Sequence, residues 1–302
     1  MNARSCYRKV APRWLRDYVR PHTRATVSTY VWLRTKRRSK RLKPSFLIVG
    51  APKAGTTSLF LYLSGHPRIA EPVVKEIHYF SHYWSDRSDA WYLAHFPSVR
   101  RSGVITGEAS PGYLDDPESP ARVLSVLPDA KIIVLLRDPV ARAISHYHHD
   151  INIGVRERRE LVDYLAFEGM KLRPELTSRL ISHSEWAARP MKPSADEPWP
   201  PTYIRQGLYA EQLENWFKYL SRDQFLIMKA EDLFADPKSA YARALSFLGL
   251  PFFNQGPMEA HNVGRYGSTN PAVLQYLSAL YEEPNRRLYE LLGVDLGWSR
   301  AS

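Results

Sequence analysis

Residues 46–58 read FLIVGAPKAGTTS, and this stretch decides the fold class. Four apolar residues, Phe46 to Val49, predict a strand buried on both faces. Gly50 and Gly55 bracket a tight loop. Thr56, Thr57 and Ser58 then open a helix carried by Leu59, Phe60, Leu61 and Leu63. A strand, a glycine loop and a helix N-terminus make a phosphate cradle, because free backbone N–H groups and the positive end of the helix dipole face the anion. The loop departs from the nucleoside-triphosphate motif GxxxxGK[ST]. The spacing from Gly50 to Gly55 fits, but Thr56 stands where lysine belongs, and Lys53 lies mid-loop instead. That displacement predicts a phosphate-bearing donor that is not cut at a γ-phosphate. Alone, the same glycines also fit an ordinary βα turn.

Outward from this unit, the run Lys131 to Arg137 (KIIVLLR) shows no alternation and predicts a second strand buried on both faces. Asp138 and Pro139 end it, and helical spacing resumes from Val140 to His149. A third strand, Phe225 to Met228, leads into Lys229, Ala230 and Glu231. Helical patterns fall at 119–127, 207–220 and 238–248, and a helix or a helix pair broken at Pro284 spans 271–292. Strands alternating with helices predict an α/β, P-loop-like fold with a central, mostly parallel sheet flanked by helices. Ligands of such sheets sit at the carboxyl ends of the strands, where both the 50–58 loop and Arg137 fall. The proline-rich 189–203 stretch reads as a surface loop, and 150–205 as a segment covering the substrate.

Charge divides the chain. Residues 1–43 hold fourteen Lys/Arg against one acid, Asp17, although the whole chain is only +11. The body beyond Lys43 is therefore slightly acidic, and a general nucleic-acid-binding body is not expected. The arm, residues 1–44, reads as a partly disordered extension or as a basic segment that contacts an anionic membrane surface, RNA or a partner. Trp14, Leu15, Tyr18, Val19, Tyr30, Val31, Trp32 and Leu33 give it a weak membrane-surface pattern broken by Pro21. Its apolar stretch, Ala25 to Leu33, is too short to span a bilayer. One cysteine, Cys6, forms no internal disulfide, and a cytoplasmic location, peripheral at the inner membrane surface, is the expectation.

Three further clusters follow the loop: KEIHYF at 75–80, GEASP at 107–111, and Arg137-Asp138-Pro139 with Ser145 eight residues beyond Arg137. A guanidinium at a strand end and a hydroxyl two turns into the next helix can converge on one phosphate group. His146, His148 and His149 do not share one helix face and read as a solvated surface rather than a metal set.

PKAGTTSL, KEIHYF, GEASPGYL and IIVLLRDPVARAISHY together resemble the sulfotransferases that use 3′-phosphoadenosine 5′-phosphosulfate (PAPS), of the heparan-sulfate type and its bacterial relatives. The resemblance runs from about residue 45 to the C-terminus and includes YIRQGLYAEQLENW at 203–216, EDL at 231–233 and NRRLYELLGVDLGW at 285–298. It implies a PAPS-dependent transfer to an acceptor hydroxyl, with no metal. It implies that Lys53, Ala54, Gly55, Thr56, Thr57 and Ser58 hold the donor's 5′-phosphosulfate, and that Arg137 and Ser145 hold its 3′-phosphate. Gly264, Arg265 and Tyr266 fall where the family closes a loop over the nucleotide. Glu76 matches the general base, with His78 beside it, and Lys53 faces the leaving phosphate. Animal heparan-sulfate enzymes often carry lysine where this chain has Ala109, and Lys75 and Arg205 are candidates to replace it. Two other readings stay open: a P-loop kinase or NTPase, and a non-catalytic anion- or membrane-binding protein working through its arm.

Overall fold

The computed structural model describes residues 26–36, 39–98, 102–154, 161–175, 177, 202–259 and 269–298. Five parallel strands build one sheet in the order β2-β3-β1-β4-β5. They are β1 (Phe46–Gly50), β2 (Ile69–Ala70), β3 (Ile105–Ala109), β4 (Lys131–Leu136) and β5 (Phe225–Lys229). The uninterrupted apolar runs take the central places. Every residue of β1 is buried, and so is every residue of β4 after Lys131.

The helices are α1 (26–36), α2 (Thr56–Ser64), α3 (Asp89–Leu93), α4 (Ser119–Val126), α5 (Pro139–Ile153), α6 (Leu161–Leu172), α7 (Tyr209–Phe217), α8 (Ala230–Ala235), α9 (Pro237–Leu248) and α10 (Pro271–Leu292). From β1 the chain runs outward to β2 and β3 on one side, then crosses to β4 and β5 on the other. The strand order therefore reverses at β1, and ligands of such sheets bind outside the carboxyl ends at that point.

Two predicted elements differ from expectation. The 271–292 pattern is one helix running through Pro284 rather than a pair. Proline inside a helix costs about 3 kcal/mol. Here Leu277, Leu280, Tyr281, Pro284 and Leu288 all lie on its buried side, and that packing offsets the lost hydrogen bond. Within 207–220 only Tyr209–Phe217 is α-helical, preceded by a 3₁₀ turn at Arg205–Gly207. β2 and the start of β3 escaped the sequence reading: one is two residues long, and the other, ITGEA, carries a glycine in its middle and a glutamate next to its end. Of the 189–203 loop only residues 202 and 203 are described. Within the 150–205 segment, helix α6 packs Leu161, Val162, Tyr164 and Leu165 against α5 and α10 in a second apolar cluster.

Candidate active site

The β1–α2 loop begins the site. The Ala51 N–H donates to Leu135 O (2.6 Å), tying the loop's start to β4. Gly55 takes φ +86°, a left-handed conformation that favours glycine, and a Cβ there would meet Phe234 at 2.8 Å and Leu233 at 3.0 Å. No side chain caps α2, whereas Asp138 caps α5 by accepting from the N–H groups of Val140 (2.8 Å) and Ala141 (3.2 Å). The first amides of α2 are thus left to an anion. Ala54, Thr56 and Ser58 are buried beneath the loop, and Thr57 is half-buried.

Among the described residues, only Lys53 (φ +67°) and His78 (φ +56°) are non-glycine residues with positive φ. Both are predicted catalytic residues. Such conformations cost free energy and persist where the surroundings enforce them. At Lys53 the enforcer is Arg137, whose Nη1 donates to Lys53 O (2.9 Å). Arg137 is itself placed by the Tyr209 hydroxyl, which donates to its carbonyl (2.8 Å), and its guanidinium lies 5.7 Å from the Phe234 ring centroid.

At His78 the enforcer is the end of β3. Glu108, fully buried, accepts from the Ser110 hydroxyl (2.7 Å), the Tyr92 hydroxyl (2.9 Å), the Tyr113 hydroxyl (3.1 Å) and the Ile77 N–H (3.3 Å). Ser110 Oγ accepts from the N–H groups of Ile77 (3.1 Å) and His78 (3.2 Å). Burial pushes the Glu108 carboxyl pKa up, and the hydrogen bond from Ser110 and those that follow pull against it.

These supports bring Glu76 and Lys53 within electrostatic reach of each other. Burial lowers the Lys53 pKa; Asp150 and Glu76 pull it back up, while Arg137 and Lys75 push it further down. Glu76 pairs through one oxygen with Lys75, and its other oxygen lies 3.4 Å from His78 Nε2. Burial alone would raise the Glu76 pKa. The bond from His78 and the charge and hydrogen bond of Lys75 outweigh it and bring it to about 2. His78 Nδ1 is buried without a hydrogen-bond partner among the described residues.

Ser145 lies two turns into α5 and is buried. Ala109 is fully buried at the end of β3, and its N–H donates to Lys75 O (3.2 Å), so Lys75 is its cationic neighbour. Arg205 is engaged elsewhere, donating to Asp115 (2.7 Å). Gly264, Arg265 and Tyr266 lie outside the described residues.

The histidines of α5 are not a solvated surface. His146 packs edge-on against Tyr203, with centroids 5.1 Å apart. The His149 pKa is lowered by burial and then by the Lys53 charge, with Glu76 opposing, so this ring lies within electrostatic reach of both. No group of three His, Cys, Asp or Glu side chains able to hold a metal occurs among the described residues. Sequence reasoning missed His149, Glu108 and Phe234. Only Glu108 had a signal: a carboxylate inside a strand must be bonded on all sides.

A conserved-domain model described as "Sulfotransferase domain" matches residues 43–262. The chain is 32% identical to heparan sulfate glucosamine 3-O-sulfotransferase 6 of Mus musculus, over 86% of this chain and 75% of that protein. It is 27% identical to membrane-associated sulfotransferase kil1 of Dictyostelium discoideum, over 84% of this chain and 66% of that protein. Just under two thirds of the latter's length is therefore spanned. A solved sulfotransferase from Alicyclobacillus acidocaldarius superposes with a TM-score of 0.64 at 29% identity, covering 84% of this chain and 97% of that one.

Proposed function

We propose a donor, a reaction and a set of residue roles for this chain, which belongs to the sulfotransferase family. The donor is PAPS, and the reaction moves its sulfuryl group to an acceptor hydroxyl. The observation that carries the roles is the meeting of Lys53, Arg137 and Glu76 at the reversal point of the sheet. Cations, an uncapped helix N-terminus and a glycine-shaped loop suit a polyanionic nucleotide, and a nearby carboxylate suits a neutral acceptor.

The 53–58 loop holds the 5′-phosphosulfate. Arg137 and Ser145 hold the 3′-phosphate, and the 264–266 segment closes over the nucleotide. The acceptor oxygen forms a bond to sulfur on the side opposite the phosphate, and the sulfur–oxygen bond to that phosphate breaks. The leaving phosphate gains charge, which Lys53 stabilises. The acceptor proton passes to Glu76, oriented by His78. Sulfuryl transfer resembles phosphoryl transfer in its loose, in-line transition state, so positioning and charge carry the acceleration.

Against burial, His78 and Lys75 hold the Glu76 carboxyl at a pKa of about 2, so it is ionised before the reaction begins. A carboxylate this acidic removes no proton from a free alcohol. It accepts one readily once the oxygen has begun to bond sulfur and become strongly acidic. Bond formation to sulfur therefore leads and proton transfer follows.

A thermal-shift titration without metal tests the donor. Adenosine 3′,5′-bisphosphate should raise the melting temperature, and ATP and ADP should not match it. Stabilisation by ATP but not by the bisphosphate would overturn the assignment and favour the kinase reading.

A further inference from the structure

We propose that the outward face of α1 and the groove beside it form a docking surface for an anionic membrane. Helix α1 turns Val31 inward and is fastened to the body by arginines. Arg34 donates to Phe96 O and Arg41 to Ser98 Oγ (2.9 Å), while the Leu42 N–H donates to Pro97 O (2.9 Å). Fastened this way, it leaves Tyr30, Trp32 and Leu33 outward, each half exposed or more. Three large apolar side chains within four positions make a patch, not scatter.

A groove of about 470 Å³ runs beside them. Its walls are Tyr30, Leu33 and Pro97 on the apolar side and Arg34, Arg41, Ser39 and Ser98 on the polar side. The Arg34 Nε is buried without a hydrogen-bond partner among the described residues. Lys36 lies 5.6 Å from the Trp32 ring centroid, so a cation borders the aromatic patch.

The charge of the chain selects the partner. No acidic residue occurs from Thr26 to Lys43, which holds Arg34, Lys36, Arg37, Arg38, Lys40, Arg41 and Lys43, while the body beyond is slightly acidic. An anionic bilayer attracts this end and repels the rest. Tryptophan, tyrosine and leucine next to cations have the composition of a helix lying in the headgroup layer. Basic charge alone binds any polyanion; the aromatic and aliphatic face is what a lipid interface adds. Because α1 is bonded to the body, docking there would hold the catalytic crevice at a fixed attitude to the membrane.

Vesicle co-sedimentation of the full chain tests this, with phosphatidylcholine alone or mixed with phosphatidylglycerol at physiological salt. The expected result is binding only to the mixed vesicles, weakened about tenfold or more in a Trp32→Ser, Leu33→Ser double variant whose charge is unchanged. A Phe252→Ser, Phe253→Ser variant removes two other exposed aromatics and should bind as the parent does. Retained thermal stabilisation by adenosine 3′,5′-bisphosphate shows that each variant is folded. Full binding by the Trp32/Leu33 variant, equal loss in the Phe252/Phe253 variant, or equal binding to neutral vesicles would overturn the proposal. So would binding to RNA that the Trp32/Leu33 variant alone loses, which would reassign the face to nucleic acid.

Discussion

Replacing Glu168 by glutamine should flatten a pH dependence in the contact between α6 and residues 204–205. Glu168, on α6, is 5% exposed and accepts from the backbone N–H groups of Ile204 and Arg205 at 2.8 Å each. Burial raises its pKa from 4.5 to about 7, against the pull of those two bonds and of the Arg142 and Arg205 charges. A carboxyl whose folded pKa is raised gives stability that is present below its unfolded pKa and lost as pH rises through the folded one. From pKa values of 4.5 and about 7, local stability falls by about 2.5 kcal/mol between pH 5 and pH 8. Hydrogen exchange at the Ile204 and Arg205 amides reads this directly, since those amides make the bonds. After correction for intrinsic rates, protection in the parent should fall about 70-fold over that range. In Glu168→Gln it should stay level. Glu108 and Asp115, whose pKa values are also raised, and the lowered histidines His82, His95, His148 and His149 are present in both proteins, so the comparison cancels them. Parallel slopes in the two proteins would refute the clamp and the burial argument with it.

Lys53→Ala should cut kcat by about 10²–10³-fold, as loss of a group facing transition-state charge does, and weaken adenosine 3′,5′-bisphosphate binding much less by calorimetry. The lowered Lys53 pKa also places the alkaline fall of kcat below pH 10.5 in a pH–rate profile. Glu108→Ala strands the Tyr92, Tyr113 and Ser110 hydroxyls; each costs about 1–3 kcal/mol, so a large drop in melting temperature is expected. The milder Tyr113→Phe removes one donor and should lower kcat with bisphosphate affinity unchanged. Gly55→Ala forces a left-handed alanine against Phe234 and Leu233, costing about 1–2 kcal/mol from the backbone alone, and should weaken bisphosphate binding in the same titration.

The sheet was legible where strands are long and wholly apolar. FLIVG and KIIVLL can only be buried on both faces, and the loop between β1 and α2 announced itself by its glycines. β2 was not legible because two residues carry no period, and Pro284 misled because local propensity was outweighed by an apolar stripe several turns long. The motifs of the proposed site stood out in the sequence, but the groups that hold them did not. Nothing in the linear order of His149 relates it to Lys53 or Glu76. The α5 helix brings it there after β4 has fixed where α5 begins. Glu168 is equally mute, since its partners are backbone amides more than thirty positions away.

The two left-handed residues show how the sheet does the positioning. Neither lysine nor histidine prefers φ near +60°, and each such residue costs about 1–2 kcal/mol. Both costs are met from strand ends: Arg137, after β4, bonds the Lys53 carbonyl, and Ser110 and Glu108, at the end of β3, hold the Ile77–His78 amides. β3 and β4 are the two neighbours of β1 in the sheet. Lys53 and His78 are therefore set by the register of three adjacent strands rather than by their own loops. An in-line transfer needs its leaving-group cation and its base on opposite sides of one atom, at a separation that cannot drift. In the proposed assignment, anchoring Lys53 and the Ile77–His78 amides beside Glu76 to different neighbours of the same strand would supply that separation.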